Sequence, residues 1–103
     1  MLNLELLQSG DEGHMRIAII DTGINTSHVD MKAAMVHKQI VKLCDWTNDS
    51  HGVEVQEMED HSGHGTLVAS IILDLAPNVE LYIARVTTGP KMTDKEAEYI
   101  AEV

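Results

Sequence analysis

The feature that most constrains this chain is a switch of hydrophobic period along its length. Arg16 to Ile20 is a short apolar run with two isoleucines near its end, followed at once by Asp21-Thr22-Gly23. It reads as a buried strand leaving the core into a tight turn. From His64 the apolar positions become Leu67, Val68, Ile71, Ile72 and Leu75, the spacing of one face of an α-helix, and Pro77 ends that pattern. Glu80 to Val86 then returns to strand character, and Ile40 to Trp46 is a further strand candidate. Strands separated by a helix pair in parallel, because parallel neighbours need a crossover connection. The expected fold class is therefore α/β, three-layer, with a mainly parallel sheet and flanking helices. Ligands of such sheets bind beyond the carboxyl ends of the strands, where Asp21 falls.

The remaining segments organise around that frame. Residues 1–14 end in Ser9-Gly10-Asp11-Glu12-Gly13 and read as a lead-in or linker with a glycine-bearing joint, leaving 15–103 as the domain. Ser27 to His37 predicts a short helix or turn. Thr47 to Ser62, with Asn48, Asp49, Gly52, Glu57, Glu59 and Asp60, predicts an irregular surface connection. Thr88-Gly89-Pro90 is a turn signal, and Thr93 with Glu96 forms a capping box ahead of the stripe Ala97, Ile100, Val103. That stripe has no glycine cap after it, so the C-terminal end is expected to fall within an element.

Charge narrows the partners. The chain of 103 residues carries a formal net charge of −10, a field that repels phosphate backbones and anionic membrane surfaces, so neither nucleic acid nor membrane is an expected partner. Hydrophobic residues at 44% are too many for intrinsic disorder. The lone Cys44 allows no internal disulfide and sits in an apolar run as a small buried group. The first twenty residues hold neither a signal-peptide pattern nor a membrane span, which places the protein in the cytoplasm if Met1 is the true start.

Two runs carry chemistry. Ile17-Ala18-Ile19-Ile20-Asp21-Thr22-Gly23-Ile24 puts a carboxylate at a strand end, beside a glycine free to turn sharply. Asp60-His61-Ser62-Gly63-His64-Gly65-Thr66-Leu67-Val68-Ala69-Ser70 puts His64 in the first turn of a helix, between two glycines that permit close approach of another chain. A helix N-terminus favours the neutral ring, and a neighbouring carboxylate fixes its tautomer and stabilises it once it takes a proton.

Together the two runs resemble the Asp and His segments of the subtilisin-like serine proteases (peptidase family S8). The resemblance continues at His28-Val29-Asp30-Met31 and at Ala76-Pro77 followed by Leu81-Tyr82-Ile83-Ala84-Arg85-Val86, and it spans roughly Arg16 to Val103. It implies the N-terminal half of a subtilisin-like fold and serine-type endopeptidase chemistry on peptide or protein substrates. Asp21 is then the orienting carboxylate and His64 the general base and acid. The family's Gly-Thr-Ser-x-Ala segment, with the nucleophile, and its oxyanion Asn are not in the chain; Ser9, Ser27, Ser50, Ser62 and Ser70 lie in other contexts. The chain is thus expected to be inactive alone, as a fragment or as a pseudoprotease kept for binding. Val29 stands where the family usually has Pro, and Ser70 where it has Gly. The direct run through Asp74-Leu75-Ala76-Pro77 lacks the inserted calcium loop of bacterial members, so no cofactor is expected. A half sheet would also leave an edge open, implying low solubility or self-association through that edge.

Two rivals share residues with this reading. Asp-Thr-Gly also marks aspartic proteases, but those are nearly all β, usually follow the motif with Ser, Thr or Ala rather than Ile24, and do not account for Gly63-His64-Gly65-Thr66 opening a helix. His28, Asp30, His51, Asp60, His61 and His64 are of metal-ligating types, yet no three fall at a zinc-like interval.

Overall fold

The computed structural model describes residues 3–6, 15–47 and 52–89. In chain order its elements are β1 (Asn3–Leu6), β2 (Arg16–Asp21), α1 (Val29–Val36), β3 (Ile40–Asp45), β4 (Val53–Val55), α2 (His64–Leu75) and β5 (Glu80–Arg85). They form one sheet in the order β1-β2-β5-β3-β4. The three inner strands are parallel, with Ile19 opposite Ile83 and Leu43 opposite the same Ile83, while β1 and β4 close the two edges antiparallel. The α/β class with a mainly parallel sheet is therefore observed.

Alternation along the strands sorts the core. Ile19, Leu43, Leu81 and Ile83 point to one face and pack with Met31 and Ala34 of α1 and Ala69 of α2. Ile20, Ala84 and Val86 point to the other, with Trp46 against them. Strands buried on both faces need near-continuous apolar runs, which is why Ile17-Ala18-Ile19-Ile20 shows no polar alternation. Each large side chain fully buried in this way contributes on the order of 1.5–3 kcal/mol.

The path over the sheet is unusual. From β2 to β3 the chain steps past the site of β5, and from β3 it steps back to fill that gap, yet α1 and α2 share one face and touch each other. Opposite steps with both helices on one face are crossovers of opposite hand, so one is left-handed, against a preference of about 98% for right-handed connections. The result places the start of α2 over the end of β2.

Several expectations change. The lead-in contains a strand, since Asn3–Leu6 pairs with Ile17–Ile20. The 47–62 connection is not wholly irregular or superficial: it holds β4, and Met58 and Asp60 are buried at 6% and 4% exposure. The inward face of α2 is rotated, so that of the expected stripe Val68 and Ile72 pack against the core and the other three residues do not. Gly65, Thr66 and Ala69 are buried, whereas Leu67, Ile71 and Leu75 are exposed at 58%, 49% and 80%. The residues nearest β2 must be small for the backbones to approach, and a periodicity of bulky side chains does not register small ones. The expected joint at Ser9–Gly13 and the stripe after Thr93 lie outside the described residues.

Candidate active site

Asp21 ends β2, and its side chain is 1% exposed. Its backbone carbonyl accepts from the Val86 amide at 2.9 Å, which ties the strand end to the segment after β5. One carboxylate oxygen, Oδ1, accepts from the Thr22 amide at 2.8 Å, leaving Oδ2 to point at α2. There it meets His64 Nδ1 at 2.8 Å. His64 is the first residue of α2, with its side chain 43% exposed. The two candidate residues from the sequence are thus in direct contact, 43 positions apart in the chain. With Nδ1 committed to a buried carboxylate, the tautomer is set and Nε2 is the nitrogen left to exchange a proton with a reacting group.

The approach depends on glycines. A Cβ on Gly65 would stand 2.1 Å from the Gly23 carbonyl oxygen, so α2 and the turn after β2 meet backbone to backbone. The close approach expected of the glycines beside His64 is therefore to the chain's own turn. Gly63 serves differently: it is the N-cap of α2 at φ +82, and a Cβ there would meet nothing within 4 Å. Only its left-handed backbone asks for glycine.

Asp60, expected at the surface, is an internal anchor instead. Its carboxylate accepts from the Gly63 amide at 2.9 Å, the Thr66 amide at 2.9 Å and the Thr66 hydroxyl at 2.7 Å. Burial pushes its pKa up, but bonds from Thr66, Thr22 and Gly63 outweigh that and hold it below the usual carboxylate range. Sequence reasoning also missed Thr22, Asn25 and Thr66, whose polar atoms all face inward. An Asx residue a few positions ahead of a helix start was the available signal for Asp60.

The two departures from the family pattern are accommodated. Val29 opens α1 with its side chain 74% exposed, a position where proline and other residues fit equally. Ser70 Oγ donates to the Thr66 carbonyl one turn back at 3.0 Å. Of the candidate metal ligands, His28 caps α1 by accepting from the Asp30 amide, and His61 pairs with Glu59 at 3.4 Å. Among the described residues no three His, Cys, Asp or Glu side chains converge.

At the same end of the sheet Asp21, Arg85 and Asp45 stand side by side on β2, β5 and β3. Arg85 Nη1 bonds Asp45 Oδ2 and Thr47 Oγ1, both at 3.2 Å. This pair floors an open groove of about 760 Å³ whose walls include Lys32, Met35, Met58 and His61.

A mainly parallel α/β sheet with a buried carboxylate at one strand end, hydrogen-bonded to a half-exposed histidine at a helix start, is the arrangement that the resemblance to the subtilisin-like proteases implies for the Asp and His segments. The comparison with protein families agrees: residues 13–101 match the subtilase family, Peptidase S8, and the chain belongs to it. It is 34% identical over 95 residues to the major intracellular serine protease of Bacillus subtilis, covering 82% of this chain and 28% of that protein. It is 30% identical over 81 residues to an intracellular serine protease of Paenibacillus polymyxa, covering 70% of this chain and 23% of that protein. Subtilisin-like protease 2 of Plasmodium falciparum is 28% identical over 87 residues, covering 76% of this chain and 6% of that protein. The chain thus spans under a third of the length of these relatives. No solved structure matches it significantly.

Proposed function

We propose that this chain supplies the orienting carboxylate and the general base of a serine endopeptidase, and that its 103 residues do not hydrolyse peptides without a serine nucleophile from elsewhere. The observation that carries the reading is the 2.8 Å contact between buried Asp21 Oδ2 and His64 Nδ1. Nε2 takes the proton of a serine hydroxyl as its oxygen attacks the peptide carbonyl carbon, and Asp21 stabilises the ring that then carries two N–H groups. The same proton passes to the leaving amine, and water releases the acyl group by the reverse sequence. This chemistry takes no cofactor.

The inactivity of the chain alone is supported by its serines. Among the described residues, Ser70 is turned to the Thr66 carbonyl, and neither Ser27 nor Ser62 bonds to His64. A missing nucleophile forfeits most of the acceleration, on the order of a million-fold in kcat in a related protease. Two of the relatives are named intracellular proteases, and no helix among the described residues is long and apolar enough to cross a membrane. A cytoplasmic setting is the reading that the names of those relatives support. A fluorophosphonate probe of serine hydrolases tests the proposal: the purified chain is expected to stay unlabelled beside a labelled subtilisin control. Labelling that disappears with His64→Ala would show a complete site and overturn it.

A further inference from the structure

Asp21 and His64 reach each other across 43 residues of chain, and their 2.8 Å contact does not by itself explain why α2 begins where it does. A half-exposed ring hinged at a helix start has rotamer freedom, and one hydrogen bond holds it only if the backbone beneath is already placed. The backbone here is bracketed. Asp60 Oδ1 holds the amide of Gly63, immediately before His64, and Oδ2 holds the amide and hydroxyl of Thr66, two residues after it.

The bracket is closed on the Asp21 side as well. The Thr66 hydroxyl oxygen accepts from the Asn25 amide at 3.0 Å, and the Gly65 amide donates to Thr22 Oγ1 at 3.0 Å. Asn25 returns to Asp60 through two bonds, its Oδ1 accepting from the Asp60 amide at 2.7 Å and its Nδ2 donating to the Asp60 carbonyl at 3.3 Å. The path from Asp60 to Thr66 to Asn25 and back to Asp60 is a closed ring. It joins the turn that follows Asp21 to the turn that carries His64. The carboxylate and Thr66 are almost fully buried, so these bonds are not shared with solvent.

We infer that Asp60 is a positioning residue of the site, setting His64 onto Asp21 through the closed ring it forms with Thr66 and Asn25, so that the couple is preorganised within this chain alone. The inference rests on the proposed acid–base role of the Asp21–His64 couple. Asp60 touches neither the ring nor a reacting atom; it acts through the backbone on either side of His64. Its carboxylate is suited to the task because the Gly63 amide and the Thr66 amide and hydroxyl converge on it, and an acceptor-only group with two oxygens satisfies them without a competing N–H.

The test reads the tautomer of the His64 ring in the full chain, by two-bond 1H–15N correlations of the ring protons in alkaline solution, with His64→Gln to assign the signals. Wild type is expected to show one tautomer, protonated at Nδ1. Asp60→Ala is expected to lose that single tautomer while circular dichroism still reports folded protein. Retention of the Nδ1-protonated form in folded Asp60→Ala would overturn the inference. If that variant does not fold, Thr66→Val and Thr66→Ser replace it: loss in Val with rescue in Ser supports the ring, and retention in folded Thr66→Val overturns it. Failure of the underlying reading looks different. Wild type itself would then lack the Nδ1-protonated form, or Asp21→Asn would leave it unchanged.

Discussion

Replacing Gly65 by alanine sets two effects of opposite sign against each other. In an ordinary helix interior the change stabilises by about 1 kcal/mol, because alanine loses less backbone freedom on folding. Here the added Cβ would stand 2.1 Å from the Gly23 carbonyl oxygen and 3.1 Å from the Gly23 amide nitrogen and carbonyl carbon. A carbon and a carbonyl oxygen settle at about 3.3 Å or more, so α2 must retreat by roughly 1.2 Å from the turn after β2. The neighbour is backbone, held on one side by the Asp21–Val86 hydrogen bond and on the other by Gly65's own bond to Thr22, and no side-chain rotation relieves it. Overpacking of this kind costs about 1–3 kcal/mol, so the clash outweighs the propensity gain. The same retreat lengthens the 2.8 Å His64–Asp21 contact past hydrogen-bonding range. Gly65→Ala is thus expected to lower the urea midpoint and abolish the Nδ1-protonated tautomer of His64 together. Gly63→Ala is the control: it bears left-handed strain but no contact, so it should lose stability and keep the tautomer. A Gly65→Ala protein as stable as wild type with the tautomer intact would refute the reasoning.

Further outcomes follow from the same geometry. The Asp60 pKa is lowered on folding, so its contribution is fully present above the unfolded value of about 3.9 and is lost as pH falls through the lower folded value. Urea titrations below about pH 4 should therefore show wild type losing stability more steeply than Asp60→Asn, and parallel curves would contradict the role given to the carboxylate. Arg85 and Asp45 are 12% and 13% exposed, and Arg85 Nε is buried without a hydrogen-bond partner among the described residues. Asp45→Ala alone, which strands the guanidinium, should cost about 3–5 kcal/mol. Asp45→Ala with Arg85→Met should cost clearly less, and thermal melts showing simple additivity would exclude a coupled pair. Leu67, Ile71 and Leu75 form an exposed apolar stripe on α2, so changing all three to Gln should reduce self-association in sedimentation velocity without lowering the melting temperature. A drop in melting temperature would mean the stripe is packed.

The elements were largely legible because their causes are local. Arg16–Asp21, α1, Ile40–Asp45, α2 and Glu80–Arg85 each formed within a residue or two of where periodicity and turn residues placed them. β1 was not legible, since a short strand preceding a glycine-rich segment takes its structure from the partner it pairs with. The inward face of α2 was legible only in part: Val68 and Ile72 pack against the core, but the small residues that approach most closely do not register in a periodicity of bulky ones. Gly65 and Ala69 face the sheet for their small size, and Leu67 and Leu75 face out.

For the site the division is similar. Asp21 and His64 were identifiable as types in context, a carboxylate leaving a buried strand and a histidine opening a helix between glycines. Their pairing was implied only by resemblance to the subtilases. Asp60, Thr66, Asn25 and Thr22 were invisible as a group, because each reads alone as an ordinary polar turn residue and their hydrogen bonds span 41 and 35 positions. By itself, then, the sequence determined the α/β class, the order of the three inner strands and the two helices, and the two residues able to hold and move a proton. These follow from side-chain chemistry and from periods repeated over a few residues. The tertiary structure alone decided which face of α2 turned inward, that both crossover helices lie on one side of the sheet, and that a buried carboxylate brackets the histidine. Those depend on distances between segments far apart in the chain, which close packing settles and local pattern does not encode.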